Sequence, residues 1–356
     1  MVLDMKGDVF EANKDYRNIK RFSTIDLGNS CHYDPLGEAR SMEDADREIF
    51  LVDLSTILLP YDGSDDGVYF IDVARDFFTG ILLYSLYEDS DVEFPAICEE
   101  ITLNSYDLWI DRIQESGYTT AQKYLNKFRN ENEKNVGGGY SKLCKELTLY
   151  TIKPLNTLLI PDDNCISPAD LEGCEDVYIQ VDPTKLPTYG PIVALLFNIF
   201  MAAALHRGAG QDPPLAYIID EFGQFPFMPI ISQSAALMRA YNASILISTQ
   251  NMAQVEEHYG ENGTIALMDC ARGHVIMSLQ DPNTRDWASR LIGTRKVLRQ
   301  GSASGRKGED EGSRSSSEDR ELVFEPEAFG LLPDDDSVVV YMDGHYIKGE
   351  KTYYFK

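Results

Sequence analysis

Asp220 and Glu221 are the residues of this chain best suited, by type and spacing, to do chemistry. They follow Leu215-Ala216-Tyr217-Ile218-Ile219, a five-residue apolar run announced by Pro213-Pro214. A run of that length suits a strand buried on both faces of a parallel sheet. Charge is excluded from such a core, so the two carboxylates belong at the strand's carboxyl end, where open α/β sheets bind their ligands. Consecutive acids there suit nucleotide hydrolysis: one orients Mg²⁺ through its water shell and the other polarises the attacking water. This is the pattern of a Walker B element. The same residues also suit a strand that runs into a solvated acidic turn.

The flanking elements must position these groups. Phe222-Gly223 turns the chain, and Pro229 suits the first turn of a helix. A helix is predicted from Met228 to Tyr241, with Ile230, Leu237 and Tyr241 on one stripe. Arg239, about 200° around the axis from Leu237, points away from it. A second buried strand, Ser244 to Thr249, ends on Gln250. Two neighbouring strands would thus deliver Asp220, Glu221 and Gln250 to one edge.

The length of 356 residues suits about two domains, and 25% charged with 43% hydrophobic residues is ordinary for a globular chain. A net charge of −26 is not ordinary. It argues against a general affinity for nucleic acid or acidic membranes and favours basic partners, so any DNA contact needs a locally basic surface. The six cysteines are scattered without a CxxC pair, which fits reduced thiols better than a disulfide framework or a zinc site. No stretch reads as a signal peptide. The nearest approach to a membrane span, Pro191 to Leu205, is short, contains Asn198 and is read as a buried helix.

Along the chain, Val2 to Asp8 reads as the end of a strand and Arg21 to Leu27 as another. Helices are expected at 42–58, 68–87, 97–116, 119–132 and 140–158, with Gly137-Gly138-Gly139 breaking the last two apart. Strands follow at 176–181 and 274–279, helices at 191–205, 252–259 and 284–292 (stopped by Gly293), and closing strands at 337–342 and 346–355. Residues 301–317, rich in Gly, Ser and charge, read as a mobile loop. Strands alternating with helices predict an α/β fold with a doubly wound, mostly parallel sheet. The strandless block, residues 91–160, is read as an all-α insertion domain between a first motor part (1–90) and a second (161–356).

The phosphate cradle G-x-x-x-x-G-K-[ST] is absent from these residues. Its nearest look-alike, Gly344 to Thr352, has an extra residue before the lysine and no helix after it, and is taken as a decoy. Basic residues gather at Arg285, Arg290, Arg295, Lys296, Arg299, Arg306 and Lys307. A solvated face balancing Glu309-Asp310-Glu311 is preferred to a DNA groove; within the cluster, Arg295, Lys296 and Arg299 are the candidates for DNA contact. Trp109 and Trp287 read as core residues.

The order of these pieces resembles the conjugative coupling proteins of type IV secretion systems, the TraG/TraD-type DNA-transfer ATPases. Asp4-Met5-Lys6-Gly7-Asp8 resembles the family's Asp-Pro-Lys-Gly-Glu, with Met5 in place of proline. Tyr33-Asp34-Pro35-Leu36 resembles its Tyr-Asn-Pro-Leu, and Ile218 to Gly223 its Walker B. Ser248-Thr249-Gln250, Gln254 and Tyr259-Gly260 resemble its Thr-Gln, Gln-Leu and Tyr-Gly segment. Leu322 to Leu332 with Tyr353-Tyr354 resembles its C-terminal signature.

The resemblance covers nearly the whole chain and implies a RecA-like motor interrupted by an all-α domain. By position, it makes Asp220 the Mg²⁺-orienting acid, Glu221 the catalytic base and Gln250 the sensor of the γ-phosphate, and it makes Arg239 an arginine that reaches a neighbour's nucleotide. Arg239 as an ordinary surface arginine is the alternative. It also implies ATP and Mg²⁺ as cofactors of the complete protein, a homo-hexamer, and DNA, relaxase and secretion-channel partners at the cytoplasmic face of the inner membrane. The anchor and the Walker A loop are expected upstream of Met1, which leaves an apolar slot beside the Walker B-like strand. The 356 residues alone are expected to be soluble and inactive as an ATPase. Two other readings remain: a non-hydrolysing acidic module that docks secretion substrates, and an FtsK- or HerA-like translocase.

Overall fold

The computed structural model describes residues 1–61, 67–153, 155–302, 314–332 and 338–351. Chain contacts divide into two units, Met1–Asp220 with Phe225–Ile247, and Glu221–Gln224 with Ser248–Lys356.

The first unit is built on five strands: β1 (Val2–Leu3), β2 (Ile19–Ser23), β3 (Asp176–Gln180), β4 (Leu215–Ile219) and β5 (Ala243–Ile247). They pair in the order β2-β3-β1-β4-β5, every pair parallel. This is the expected α/β sheet, with two corrections. The expected slot beside the Walker B-like strand is filled, since β4 has β1 on one side and β5 on the other. Nor is β4 buried on both faces: Leu215, Tyr217 and Ile219 are buried, Ile218 is half-buried and Ala216 is exposed. The buried face lies under the helix Leu186–Leu205, where the Tyr217 hydroxyl donates to the Phe200 carbonyl at 2.8 Å.

That helix is longer than the sequence reading. Pro183–Leu205 reaches 23 residues with a mean hydropathy of 1.8, enough to cross a bilayer by length and composition alone. Of its most apolar 18-residue window 72% is buried inside the protein, as befits a core helix. Its buried Asn198 is satisfied, donating to Ala194 O at 2.7 Å and accepting from Ile230 N at 3.3 Å.

The helical block packs around Gly67–Glu88, whose neighbours are Thr119–Leu125 and Glu133–Leu147, so the helical packing reaches back ahead of residue 91. Three expected helices are shorter or split. Residues 97–116 form two helices, Phe94–Leu103 and Tyr106–Ser116. Residues 119–132 end in a 3₁₀ turn, and 140–158 stops at Leu147 before two more. The Gly137-Gly138-Gly139 run breaks nothing; it lies inside Glu133–Leu147. A Cβ on Gly139 would come within 2.4 Å of Val73 Cβ, so that glycine is where two helices touch. Trp109 is buried in this block as expected.

The second unit departs further from the parallel pattern. Strand β6 (Gly273–Ile276) joins no parallel sheet; it pairs antiparallel with the fourth strand of this unit. That unit also holds β7 (Thr294–Ser302), β8 (Arg314–Leu322), β9 (Val338–Met342) and β10 (His345–Gly349), with β10-β9-β6 as one antiparallel sheet and β7-β8 as a second. The expected loop 301–317 is therefore strand at both ends, while 303–313 lies outside the described residues. Met252–Cys270 continues past the expected end at residue 259, bending at Gly260. Pro282–Ile292 stops at Gly293, as read. Ile276, Ala288, Phe329, Leu332 and Val339 form the core, with Trp287 and Phe324 packed against it.

Candidate functional site

In the first unit, β1 and β4 are in register, Leu3 opposite Ile219, so Asp4 and Asp220 leave the sheet side by side at its carboxyl edge. The Asp220 amide donates to Leu3 O at 3.4 Å, and its side chain is half-buried. Asp4 is almost wholly buried, and its carboxylate is already engaged. Oδ1 accepts from Gly7 N at 3.0 Å and Oδ2 from Phe10 N at 2.7 Å, holding the first turn of the helix Asp8–Asn13. The Asp-Met-Lys-Gly-Asp segment is thus a strand-to-helix turn that its own first aspartate ties down, a role that spacing alone did not reveal. Tyr33 to Leu36 is similarly structural: Tyr33 is buried, and Asp34 accepts from Leu36 N at 3.0 Å and pairs with Arg40 at 3.1 Å.

Arg239 is placed differently from the sequence reading. The expected helix 228–241 is two pieces, Pro229–Ser234 and a 3₁₀ turn, Met238–Tyr241. The stripe fails with it: Ile230 is buried, Leu237 is 52% exposed, and Met238 is the residue that turns inward. Arg239 itself is exposed, as expected. The turn lies just ahead of β5, at the amino edge of the sheet. Because β4 and β5 run parallel, Asp220 is at the opposite edge, roughly 16 Å of strand away. One copy of the chain does not bring these two residues together.

In the second unit, Glu221 has φ of +52°, a left-handed conformation for a residue with a side chain. Such backbone costs of order 1–3 kcal/mol and gathers at functional sites. Here it is held by two backbone hydrogen bonds to one serine: Glu221 N donates to Ser248 Oγ at 3.1 Å and Phe222 N to Ser248 O at 2.8 Å. The Glu221 carboxylate accepts from Gln224 Nε2 at 3.0 Å. Gly223 admits no side chain, since a Cβ there would lie 2.7 Å from Gln254 Cβ. Gln250 is exposed, between Thr249, which donates to Asn251 O at 3.0 Å, and Asn251, which caps Met252–Cys270 by accepting from Gln254 N at 2.9 Å. The sequence shows Ser248 and Gln254 only as parts of a motif; their contacts to Glu221 and Gly223 give them structural work that no periodicity signals.

The expected strand Ser244–Thr249 is β5, Ala243–Ile247, at the edge of its sheet and exposed at Ser244 and Leu246. Of the basic cluster, Arg285 is structural: its Nε donates to Leu279 O at 2.7 Å, and its guanidinium packs against Gly330. Arg295 and Lys296 are exposed on β7, opposite Glu321 and Arg320 of β8, and Lys296 pairs with Glu318 at 3.3 Å. Arg299 lies on the same strand; Arg306, Lys307 and the acids Glu309–Glu311 lie outside the described residues. Glu318 and Glu321 of β8 are thus the acids beside Arg295 and Lys296 among the described residues. The decoy Gly344–Thr352 is mostly β10, and its Thr352 lies outside the described residues.

Among the described residues no group of three or more His, Cys, Asp or Glu side chains could hold a metal directly. A lone Asp220 fits Mg²⁺ only in the way that ion prefers, through retained water and with phosphate ligands. The G-x-x-x-x-G-K-[ST] pattern that commonly holds such phosphates does not occur in these 356 residues, so the donor set named here fits MgATP in part.

Comparison with known proteins gives a consistent answer. The family model for type IV secretory system conjugative DNA transfer matches residues 1–356. The type IV secretion system-coupling protein VirD4 of Bartonella henselae is 20% identical over 312 residues, covering 84% of this chain and 48% of that protein. A probable conjugal transfer protein TraG of Sinorhizobium fredii is 23% identical over 169 residues, 47% of this chain and 26% of its own. The chain therefore spans about half, or less, of the length of these relatives. Among solved structures, the coupling protein TrwB without its first 70 residues superposes with a TM-score of 0.78 at 15% identity, over 99% of this chain and 77% of that one. TrwB in complex with ADP and Mg²⁺ superposes at 0.72, with 15% identity, over 98% and 76%. The five-stranded parallel sheet thus has the TrwB-like, RecA-type α/β fold, and the chain belongs to the type IV secretory system conjugative DNA transfer family.

Proposed function

We propose that these 356 residues are motor machinery of a coupling protein that uses ATP to pass conjugative DNA, with its relaxase, to a type IV secretion channel at the inner membrane. The observation that carries this reading is the placement of Arg239. It is exposed at the amino edge of the sheet, while Asp220 ends the Walker B-like strand at the carboxyl edge. An arginine so placed has no use at its own Asp220 and every use at a neighbour's, which favours a ring, a hexamer by family resemblance. MgATP is taken as the cofactor because TrwB was solved with ADP and Mg²⁺. When bound, it supplies the transferable phosphoryl group and the cation that neutralises it. In this reading Asp220 orients the water shell, Glu221 takes the proton of the attacking water, and Gln250 senses the γ-phosphate. Arg295, Lys296 and Arg299 are the DNA contacts to test.

The test is ATP hydrolysis by the full-length assembled protein. Glu221→Gln should abolish turnover while leaving nucleotide binding intact, and equal rates would sink the base assignment. Arg239→Ala should cost roughly 10³–10⁵ in rate, as for arginine fingers elsewhere. Mixing the two inactive variants should restore part of the activity, because each supplies in trans what the other lacks. For the 356 residues alone the expectation is negative. Phosphate loops supply most of a nucleotide's charge neutralisation, and Asp220 and Glu221 add only negative charge. Isothermal titration with MgATP should therefore show no binding; a micromolar Kd would overturn that statement.

The net charge of −26 favours a second reading, a docking module for basic secretion substrates. Pull-downs at rising salt separate it from the first. Binding held by surface charge should fade as the screening length falls from about 10 Å at 0.1 M to about 3 Å at 1 M.

A further inference from the structure

Arg207 follows the end of the helix Leu186–Leu205, and its side chain is only 3% exposed. A guanidinium so buried must find partners for a planar fork of five N–H donors. Its two terminal nitrogens find them in two other segments of the first unit, and a third segment supplies a carboxylate beside Nε, close enough for charge pairing although Nε makes no hydrogen bond. Nη2 donates to Gln211 O at 2.9 Å and Pro213 O at 2.6 Å, both in the loop that leads into β4. Nη1 donates to Tyr241 O at 3.2 Å, the last residue of the turn that carries Arg239. The counter-charge is Glu172, whose Oε1 lies 2.9 Å from Nε. The same turn receives a second anchor from that loop, Gly210 N to Ala240 O at 2.9 Å, and a third as Asn242 Nδ2 donates to Gln211 O at 3.2 Å.

The exposed Arg239 therefore stands on a turn tied down by a buried cation and by two further hydrogen bonds with the loop that the cation also holds. Without that cation, Tyr241 O and Pro213 O would lose the guanidinium donor and Gln211 O would keep only Asn242 Nδ2, a loss that the half-buried segment can make good only by moving or by admitting water. We propose that Arg207, charge-balanced by Glu172, is a positioning residue that fixes the Met238–Tyr241 turn and so sets where Arg239 projects. The assignment rests on the reading of Arg239 as an arginine acting on a neighbouring copy. The ammonium of lysine is a single point with three donors and cannot span two separated loops as the fork does, so Arg207→Lys should fail even though the charge is kept.

The experiment places a nitroxide at exposed position 240 (Ala240→Cys) in a background with Cys174→Ser and Cys270→Ser, the two exposed cysteines. With Arg207 present the label should give an immobilised spectrum. Arg207→Lys should shorten its correlation time severalfold while circular dichroism shows the fold retained, and Glu172→Gln should do so to a smaller degree. An unchanged spectrum in Arg207→Lys overturns the proposal. Should Arg207→Lys not fold, Glu172→Gln is read in the same way, and an unchanged spectrum there overturns the proposal instead.

In the full-length assembled protein, Arg207→Lys should lower kcat at least tenfold at unchanged KM for MgATP. It should cost nothing further when combined with Arg239→Ala, the non-additivity of residues that act as one unit. If Arg239→Ala leaves kcat intact, the trans-acting reading of Arg239 has failed, and the label alone decides whether Arg207 fixes the turn. If Arg239→Ala lowers kcat and Arg207→Lys does not, the positioning role is overturned.

Discussion

β4 and β5 lie side by side, parallel and in register, and they are buried to very different depths. In β4, Leu215, Tyr217 and Ile219 face the helix Leu186–Leu205 and are nearly or wholly inaccessible, Tyr217 and Ile219 at 0%. In β5, Ser244 and Leu246 are exposed, Leu246 at 61%, and Ile245 and Ile247 are only half-buried. The cause is position in the sheet: among the described residues β4 has two neighbouring strands and β5 has one. The difference is also one of faces, since Ala216 is opposite Ser244 and Ile218 opposite Leu246. Those four residues form the less covered face, while their odd-numbered neighbours form the packed one. An apolar strand therefore reports burial of at least one face and no more.

The contrast breaks most visibly at Tyr217. Its ring is wholly buried and its hydroxyl reaches Phe200 O, and burial pushes the phenol well above its ordinary range. Tyr217→Ala should destabilise the first unit by about 3–5 kcal/mol, the usual cost of deleting a large core aromatic. Urea denaturation followed by tyrosine fluorescence measures it. A cost below about 1 kcal/mol would mean that the inner face of β4 is no better packed than β5.

The same contrast between packed and open recurs in the glycine run of the helical block. Gly137 and Gly139 belong to one helix, two residues apart. Nothing lies closer than 3.9 Å to a Cβ on Gly137, whereas one on Gly139 would meet Val73 Cγ1 at 2.3 Å and Cβ at 2.4 Å. Gly137→Ala should stabilise by about 0.5–1 kcal/mol, the ordinary gain from removing glycine inside a helix. Gly139→Ala should destabilise, because overpacking at a helix contact costs about 1–3 kcal/mol against that gain. Thermal melts of the two variants should move in opposite directions; shifts of the same sign would remove the close contact from the account.

Much of this was legible in the sequence, and the failures share a cause. The succession of strands along the chain, the core helix before β4 and the acids at its end follow from local pattern; Arg239 is exposed as read, although the helical stripe that argued for it does not form. What local pattern could not supply is who sits beside whom. Gly137-Gly138-Gly139 read as a breaker because helix propensity is local, while its actual value is the space it leaves for Val73 and Phe70. Residues 274–279 read as another parallel strand because an apolar strand carries no mark of its partner's direction, and β6 pairs antiparallel with β9. The helix 228–241 runs, by pattern, through Ala235-Ala236-Leu237, good helix formers, although the chain there leaves its helix for a 3₁₀ turn bound by Arg207. Glu221 stands out in the sequence as an acid at a strand end, but its left-handed backbone is held by Ser248, 27 residues further on.

The smallest expected effect tests the open side of the comparison. Leu246→Lys replaces a side chain that is 61% exposed, so monomer stability should change by no more than about 0.5 kcal/mol. Its consequence should lie elsewhere. β5 is the edge of its sheet, and an edge strand with an exposed apolar side chain invites pairing with other chains, which a lysine discourages. Light scattering on concentrated samples of the 356 residues should show less association for Leu246→Lys than for the parent, at indistinguishable denaturation midpoints. A matched charge placed off the edge, Ile265→Lys on the helix Met252–Cys270, controls for net charge, since Ile265 is 53% exposed. If both lysines reduce scattering equally, charge repulsion explains the effect and the open edge of β5 contributes nothing. If only Leu246→Lys does, the unequal burial of β4 and β5 extends from packing to the way these molecules meet one another.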